Sequence, residues 1–229
     1  MAVPDAVMVR LGAEIDYFGL AVLRQLEIMD VRIFNSVNSM EISRDKMYTH
    51  QVLSRNGINI PRSFLAVLPT DFKTVVKTVG LPVICKALSG ARGDQVWKFD
   101  SNEEFQKGLE VVQKEVEGSP VVMQEFVANS SGRDLRVVVV KGKAVAGMMR
   151  VANSGFKANV HQGGRVEKIV IEKPLEAMAI KAANICNLDI AGVDLLLSED
   201  GYKICEINSS PGFEGLEHAS EINIAKAML

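Results

Sequence analysis

Apolar positions along the chain fall into short alternating runs separated by amphipathic stretches of helical length. A period of two marks a half-buried strand, and recurrence at three and four marks a helix. Asp5 to Arg10 is a short apolar run, Tyr17 to Met29 has helical periodicity, and Val31 to Phe34 is apolar again. This predicts a strand, a helix and a parallel strand. Two strands alone are marginal, so the segment is expected to complete its sheet with the rest of the chain, with another subunit or with upstream sequence.

Ser43 to Asn56 reads as one helix, capped by Ser43, with Asp45 in its first turn and Gly57 as its stop. Strands are then expected at Ser63 to Val67, Pro82 to Ala87, Val96 to Phe99 and Val121 to Glu125. Helices are expected at Thr70 to Val79 and Ser101 to Val116, the second opened by a Ser101-x-x-Glu104 capping box. The β-α-β-β-α-β order predicts a small α+β sandwich. After a polar link at Asn129 to Arg133, strands Leu135 to Val140 and Ala144 to Val151 flank a Lys141-Gly142 turn. Strand Val166 to Ile171, helix Leu175 to Asn187 and strands Ile190 to Leu197 and Tyr202 to Asn208 follow. A loop at Ser209 to Gly215 and a helix at Ser220 to Leu229 complete the chain. Three units are expected, at 1–42, 43–127 and 128–229.

The chain has 229 residues, 48% of them hydrophobic and 24% charged, enough to bury a core without disulfides or metal. Its 26 basic and 28 acidic residues create no net field for nucleic acid or anionic lipid, so neither is expected as a partner. No apolar run approaches the roughly 20 residues that span a bilayer, and Asp5 and Arg10 interrupt the start, so a cytoplasmic location is expected. Cys85, Cys186 and Cys205 sit in apolar runs and read as reduced core residues.

The local pattern richest in chemistry is Asp194, Glu206 and Asn208. With Glu199-Asp200-Gly201 as a three-residue hairpin loop, Asp194 and Glu206 lie six residues either side of Asp200 and face each other. Asn208 shares the face of Glu206. Opposed carboxylates on apolar strands repel unless a cation lies between them, and an oxygen-only set suits Mg²⁺ or Mn²⁺. The other reading is an acidic edge paired with nearby Lys or Arg. Ser89 to Gly93, just after Lys86, is a small flexible loop whose amides could fold over a polyphosphate; alone, it reads better as a turn beside a surface lysine. Lys157 to Gly164 is polar and glycine-bearing; its His161 is given no chemistry, because a lone loop histidine is more often solvated.

In this order the motifs resemble the ATP-grasp fold. More closely, they are similar to the ribosomal protein S6 modification family of α-L-glutamate ligases. The resemblance rests on Arg44-Asp45-Lys46, Lys86 with Gly90 to Gly93, Gln124-Glu125-Phe126, Asp134-Leu135-Arg136, Asn159 to Gly164, Ala191-Gly192-Val193-Asp194 and Glu206-Ile207-Asn208-Ser209-Ser210-Pro211-Gly212. It implies two α+β subdomains clasping ATP behind a partial Rossmann-like pre-ATP-grasp segment, because family members begin with a further stretch before Asp5. It also implies adenine near Glu125, Phe126 and Val127, and ribose at Asp134. Lys46, Lys86, Gly90 and Gly93 would contact phosphates, as would Lys157 and Asn159. Asp194, Glu206 and Asn208 would hold two Mg²⁺ or Mn²⁺ ions. Arg150 and Lys86 would be the catalytic side chains, with Arg150 on a substrate carboxylate or an acyl phosphate. Phe213 to Glu217 and the last helix would shape the acceptor side. Relatives commonly have glycine where Gln95 stands and Arg where Gln162 stands. The expected activity is ATP-dependent ligation of glutamate or another amino acid to a protein tail or a small carboxylate, by a homo-oligomer. The alternative is a nucleotide-binding protein without ligase turnover.

Overall fold

The computed structural model describes residues 3–12, 15–88, 95–156, 158, 164–220 and 222–229. Strand β1 (Ala6–Met8) runs parallel to β2 (Arg32–Phe34), with α1 (Tyr17–Ile28) as the crossover. Among the described residues this sheet stays two-stranded and does not join another. Leu20, Leu23 and Ile33 pack with Val37 and Met40 of α2 (Val37–Arg44) into a small core. The unit is held to the rest of the chain by Asn35, which is only 1% exposed. Its Nδ2 donates to the carbonyls of Ile190 and Ser209, both at 2.7 Å, and its Oδ1 accepts from Ile190 N at 2.9 Å.

The single helix expected over Ser43 to Asn56 is two. Helix α2 ends at Arg44, and α3 (Lys46–Arg55) starts one residue later. Asp45 breaks them, because its Oδ1 accepts from Met47 N and Tyr48 N at 2.9 Å each and satisfies amides that the first turn leaves open. Ser43, expected as the cap, lies inside α2 with its hydroxyl donating to Met40 O.

The small sheet follows the predicted order: β3 (Ser63–Ala66), α4 (Phe72–Val79), β4 (Val83–Ala87), β5 (Val96–Phe99), α5 (Asn102–Val116) and β6 (Val121–Glu125). Its strands lie in the order β3-β6-β4-β5, all neighbours antiparallel. Val75, Phe105 and Val112 of the helices cover Val83, Cys85 and Met123. Ser101 caps α5 by accepting from Glu104 N at 3.2 Å, but the return bond runs from Asp100 N to Glu104 Oε2. The box is therefore offset by one residue.

The large sheet holds β7 (Arg133–Val140), β8 (Lys143–Val151), β9 (Arg165–Lys168), β10 (Ile190–Ser198) and β11 (Gly201–Asn208), in the antiparallel order β11-β10-β7-β8-β9. Lys141 and Gly142 both take positive φ (48° and 73°), the two-residue turn whose twist matches the flanking strands. Leu135, Val137, Val139 and Leu195 face α6 (Lys173–Ile185) and Leu53 of α3. Val138 and Val140 on the opposite face meet α7 (Glu214–Ser220) and α8 (Ile224–Met228). Asp134 and Arg136 share that second face by alternation, so its apolar half lies under helices and its charged half is left for a site. The predicted C-terminal organisation is corrected here. Glu214 opens a helix where a loop was expected, and Ser220 closes that helix, its Oγ donating to Leu216 O at 2.6 Å. Among the described residues no helix is long and apolar enough to cross a membrane.

Candidate active site

A cleft of about 850 Å³ lies between the two larger sheets, within the usual size range of ligand sites. Lys86 of β4 and Phe126 beyond β6 line it from the small sheet, and Asp134, Arg150, Asp194 and Glu206 from the large one.

Asp194 does pair with Glu206, but not for the reason the loop suggested. Ser198 pairs with Gly201, leaving a two-residue turn at Glu199 and Asp200. From there the ladder alone would bring Asp194 opposite Cys205. A bulge between Ile204 and Glu206 takes Cys205 out of the count, and Glu206 moves onto the face of Asp194. Two features outside the sheet hold this irregular edge. Ile204 N donates to Asn59 O at 2.9 Å, and the carbonyl of Cys205 meets His50 Nε2 at 3.0 Å.

His50, 2% exposed on α3, joins three elements. Its Nδ1 lies 3.2 Å from Gln124 Nε2 of β6 and 3.1 Å from Ser63 Oγ of β3. An amide nitrogen only donates, so Nδ1 accepts and Nε2 carries the proton given to Cys205 O. Ser63 passes its own proton to Pro61 O at 2.8 Å. Burial lowers the pKa of His50 to about 4, with the charge on Lys86 adding to the effect and the Cys205 carbonyl opposing it. The imidazole is neutral and ties the small sheet to the edge strand of the large one.

Four charges form a chain across the floor of the cleft. Arg136 donates to both oxygens of Asp194, from Nε at 2.6 Å and Nη2 at 2.7 Å. Arg150 grips Asp134 in the same way at 2.6 and 2.7 Å, and its Nη2 also reaches Asp194 Oδ2 at 2.8 Å. Burial pushes Asp194 toward the neutral acid, but the two guanidiniums outweigh it and keep the pKa below the ordinary value. Burial likewise opposes the charge on Arg150, and Asp194 and Asp134 overcome it to raise the pKa. The pairing of Asp194 with arginine corresponds to the alternative reading of the acidic trio. Arg150, expected on a substrate carboxylate, is 6% exposed with its guanidinium filled by two aspartates. Asp134, expected at the ribose, has both oxygens on Arg150.

The donor set still fits a hard divalent ion. Asp194, Glu206 and Asn208 offer two carboxylates and an amide oxygen; among the described residues no three His, Cys, Asp or Glu side chains gather as a metal centre, in this cleft or elsewhere. Asn208 Nδ2 is buried with no partner. Which amide atom occupies that position is an assignment, and the opposite orientation aims an oxygen there. An ion at this point would meet Glu206 and Asn208 directly and share Asp194 with the arginines.

Comparison with known proteins decides the family. The model of the RimK-like ATP-grasp domain matches residues 43–229, and that of the RimK pre-ATP-grasp domain matches residues 1–40. The chain belongs to the RimK-like ATP-grasp family. A probable alpha-L-glutamate ligase of Rhodopirellula baltica is 40% identical over 98% of this chain and 56% of its own length. One from Legionella pneumophila (strain Corby) is also 40% identical, over 96% of this chain and 73% of its own length. The chain thus spans between about half and three quarters of these relatives. Among solved structures, the ATP-grasp ligase PsnB, complexed with a phosphomimetic variant of a minimal precursor, Mg and ADP, is 25% identical with a TM-score of 0.69. That match covers 90% of this chain and 63% of that one.

The other expected residues of this RimK-like site divide in three. Lys46 at the start of α3 and Val127 line the cleft. Lys86 does too, with Nζ 3.4 Å from Cys205 Sγ, so Cys205 belongs to the cleft and not to the core with Cys85 and Cys186. Phe126 packs edge-on to Phe156 at 6.5 Å under the Lys98 ammonium. Glu125 turns its carboxylate to Arg62 (2.6 Å) and Lys203 (2.5 Å), which hold its pKa down against burial, and its backbone N donates to Arg62 O at 3.0 Å. Gly90, Gly93, Lys157 and Asn159, together with His161 and Gln162, lie outside the described residues. Sequence reasoning missed His50, Asn35 and Arg10. Each has partners more than 150 residues away, and no local spacing marks it.

Proposed function

We propose that this chain catalyses ATP-dependent amide formation between a carboxylate and the amine of an amino acid, glutamate being the amino acid that the relatives' names favour. The observation that carries the reading is the register of Asp194 against Glu206, with Asn208 beside them, in a cleft that also holds Lys86 and Lys46. Membership of the RimK-like family supports it.

In this reading ATP lies between the sheets, with adenine at the Glu125 to Val127 backbone and phosphates toward Lys46 and Lys86. Gly90, Gly93, Lys157 and Asn159 are assigned to the phosphate side by family motif. Asp194, Glu206 and Asn208 would hold two divalent ions, Mg²⁺ or Mn²⁺, which would neutralise charge developing on the transferred phosphoryl group. The acceptor carboxylate takes the γ-phosphoryl group, giving an acyl phosphate and ADP. The amine then attacks that carbonyl, loses a proton and expels phosphate. Lys86 stabilises phosphate charge; Arg150 and Arg136 fix Asp194 as an ionised, oriented ligand. No protein nucleophile is needed. The reaction is placed in the cytoplasm, where ATP and free amino acids are available.

The test is ADP release with Mg²⁺, ATP, L-glutamate and a panel of peptide and small-molecule carboxylates, with mass spectrometry of the products. A mass increase equal to one glutamate residue, coupled to ADP, is expected. ATP binding without ADP release for any acceptor would leave a nucleotide-binding protein instead.

A further inference from the structure

The cleft contains one guanidinium that comes from the N-terminal unit. Arg10, two residues beyond β1, donates from Nη2 to Pro211 O at 2.8 Å and lies over the Phe213 ring at 5.1 Å. Among the described residues no carboxylate comes within ion-pair distance of it. Its neighbours are a carbonyl and an aromatic face. They fix the plane of the guanidinium and leave its charge unmatched.

The other arginines of the cleft are committed elsewhere. Arg136 and Arg150 are ion-paired with Asp194 and Asp134. Arg133 donates to Asn129 O at the opposite end of β7 from the Pro211 loop. Pro211, in contrast, is close to the proposed metal ligands. A Cβ added at Gly192 would come 2.6 Å from Pro211 Cβ and 3.8 Å from Asn208 Cβ, so the loop is stacked on the β10–β11 ladder at Asn208. Asn35 clamps the same region by holding Ser209 O and Ile190. The N-terminal unit therefore delivers Arg10 to a defined place, on the loop that follows Asn208.

A carboxylate entering this cleft meets Asp134, Asp194, Glu206 and Glu214, and needs a cation that those groups have not consumed. We propose that Arg10 binds the carboxylate of a substrate, either of the amino acid or of the acceptor, through the N–H groups not given to Pro211. The proposal rests on the ligase reading for the identity of its ligands. The guanidinium is already oriented by Pro211 and Phe213, so little ordering is required at binding.

The experiment is calorimetric titration of the chain with Mg²⁺ and a non-hydrolysable ATP analogue present. One arm uses L-glutamate, and the other a peptide ending in glutamate. Wild type is compared with Arg10→Ala and with Arg10→Gln, which removes the charge but keeps a donor for Pro211. The expected result is a loss of affinity of about tenfold to a hundredfold in one arm, the range for one charge-assisted hydrogen bond. That arm identifies the source of the carboxylate. Affinity for the ATP analogue should stay within about twofold, as expected if Arg10 has no part in the nucleotide site. Unchanged affinity in both arms overturns the proposal, as does a wild type that binds neither probe. If L-glutamate binds through Arg10 and the wild type still releases no ADP, the ligase reading fails while the carboxylate site stands.

Discussion

His50 makes the stability of this protein depend on pH between about 4 and 6.5. The imidazole is neutral in the folded state, and burial moves its pKa from 6.5 to about 4. Between those values the unfolded chain binds a proton that the folded chain refuses. Stability conferred by the neutral imidazole is complete above pH 6.5, falls as pH drops, and stops falling near pH 4. At 1.36 kcal/mol per pKa unit the full difference is about 3 kcal/mol, a large fraction of the stability of an ordinary domain. The comparison is with His50→Gln, whose amide can donate to Cys205 O and accept from Gln124 without titrating. Urea unfolding followed by circular dichroism between pH 4.5 and 7.5 gives two curves, and their difference cancels the carboxylates that titrate in both. The wild type should lose about 2 to 3 kcal/mol more than the variant on going from pH 7 to 4.5. NMR should show one of the three histidines titrating near pH 4. Parallel stability curves, or three histidines titrating near 6.5, would refute the buried neutral imidazole.

Four further outcomes are expected. Glu206→Gln should abolish Mg²⁺-dependent turnover while leaving thermal unfolding nearly unchanged, since Glu206 has no hydrogen-bond partner among the described residues; Mg²⁺ titration and calorimetry check this. Asp194→Ala is a poorer test of the metal, because it strips a partner from buried Arg150 and half-buried Arg136 and should cost about 3 to 5 kcal/mol in urea unfolding. Gly192→Ala forces a methyl group against Pro211 at 2.6 Å and should cost about 1 to 3 kcal/mol, with weakened metal binding as the loop after Asn208 shifts. Asn35→Ala removes three buried hydrogen bonds to Ile190 and Ser209, and should release the N-terminal unit, seen as faster amide exchange over residues 15–40 than over the two larger sheets.

Most of the fold was legible because its strands alternate and its helices carry caps. The small sheet and the Lys141-Gly142 turn came out at nearly their observed bounds. Expectations failed where one side chain decides between two local solutions. Asp45 outcompetes Ser43 because its carboxylate satisfies two amides at once, and so splits a helix whose apolar pattern runs through. Counting from the hairpin put Asp194 opposite Glu206 only because an assumed third turn residue stood in for the bulge at Cys205. Arg150 and Asp134 were found and given other roles, because the bond between them depends on a register between β7 and β8 that no single strand reveals. His50, Asn35 and Arg10 were invisible, since each takes its meaning from partners distant in sequence, among them the backbone carbonyls of Cys205, Ile190, Ser209 and Pro211.

The bulge at Cys205 has a consequence for how such sites tolerate change. Two residues of an antiparallel hairpin can face each other only if their numbers sum to the value set by the turn, and each bulge raises or lowers that sum by one. For Asp194 and Glu206 the sum is 400, whereas the Ser198–Gly201 turn sets 399. A three-residue turn with no bulge satisfies the same arithmetic. Chain length between two facing ligands therefore conserves a parity and leaves its location free. A one-residue insertion in the turn can be offset by a one-residue deletion at Cys205 that flattens the strand, with the ligands still opposed. That exchange would release the Cys205 carbonyl from His50, so the histidine and the short turn are features expected to be gained or lost together.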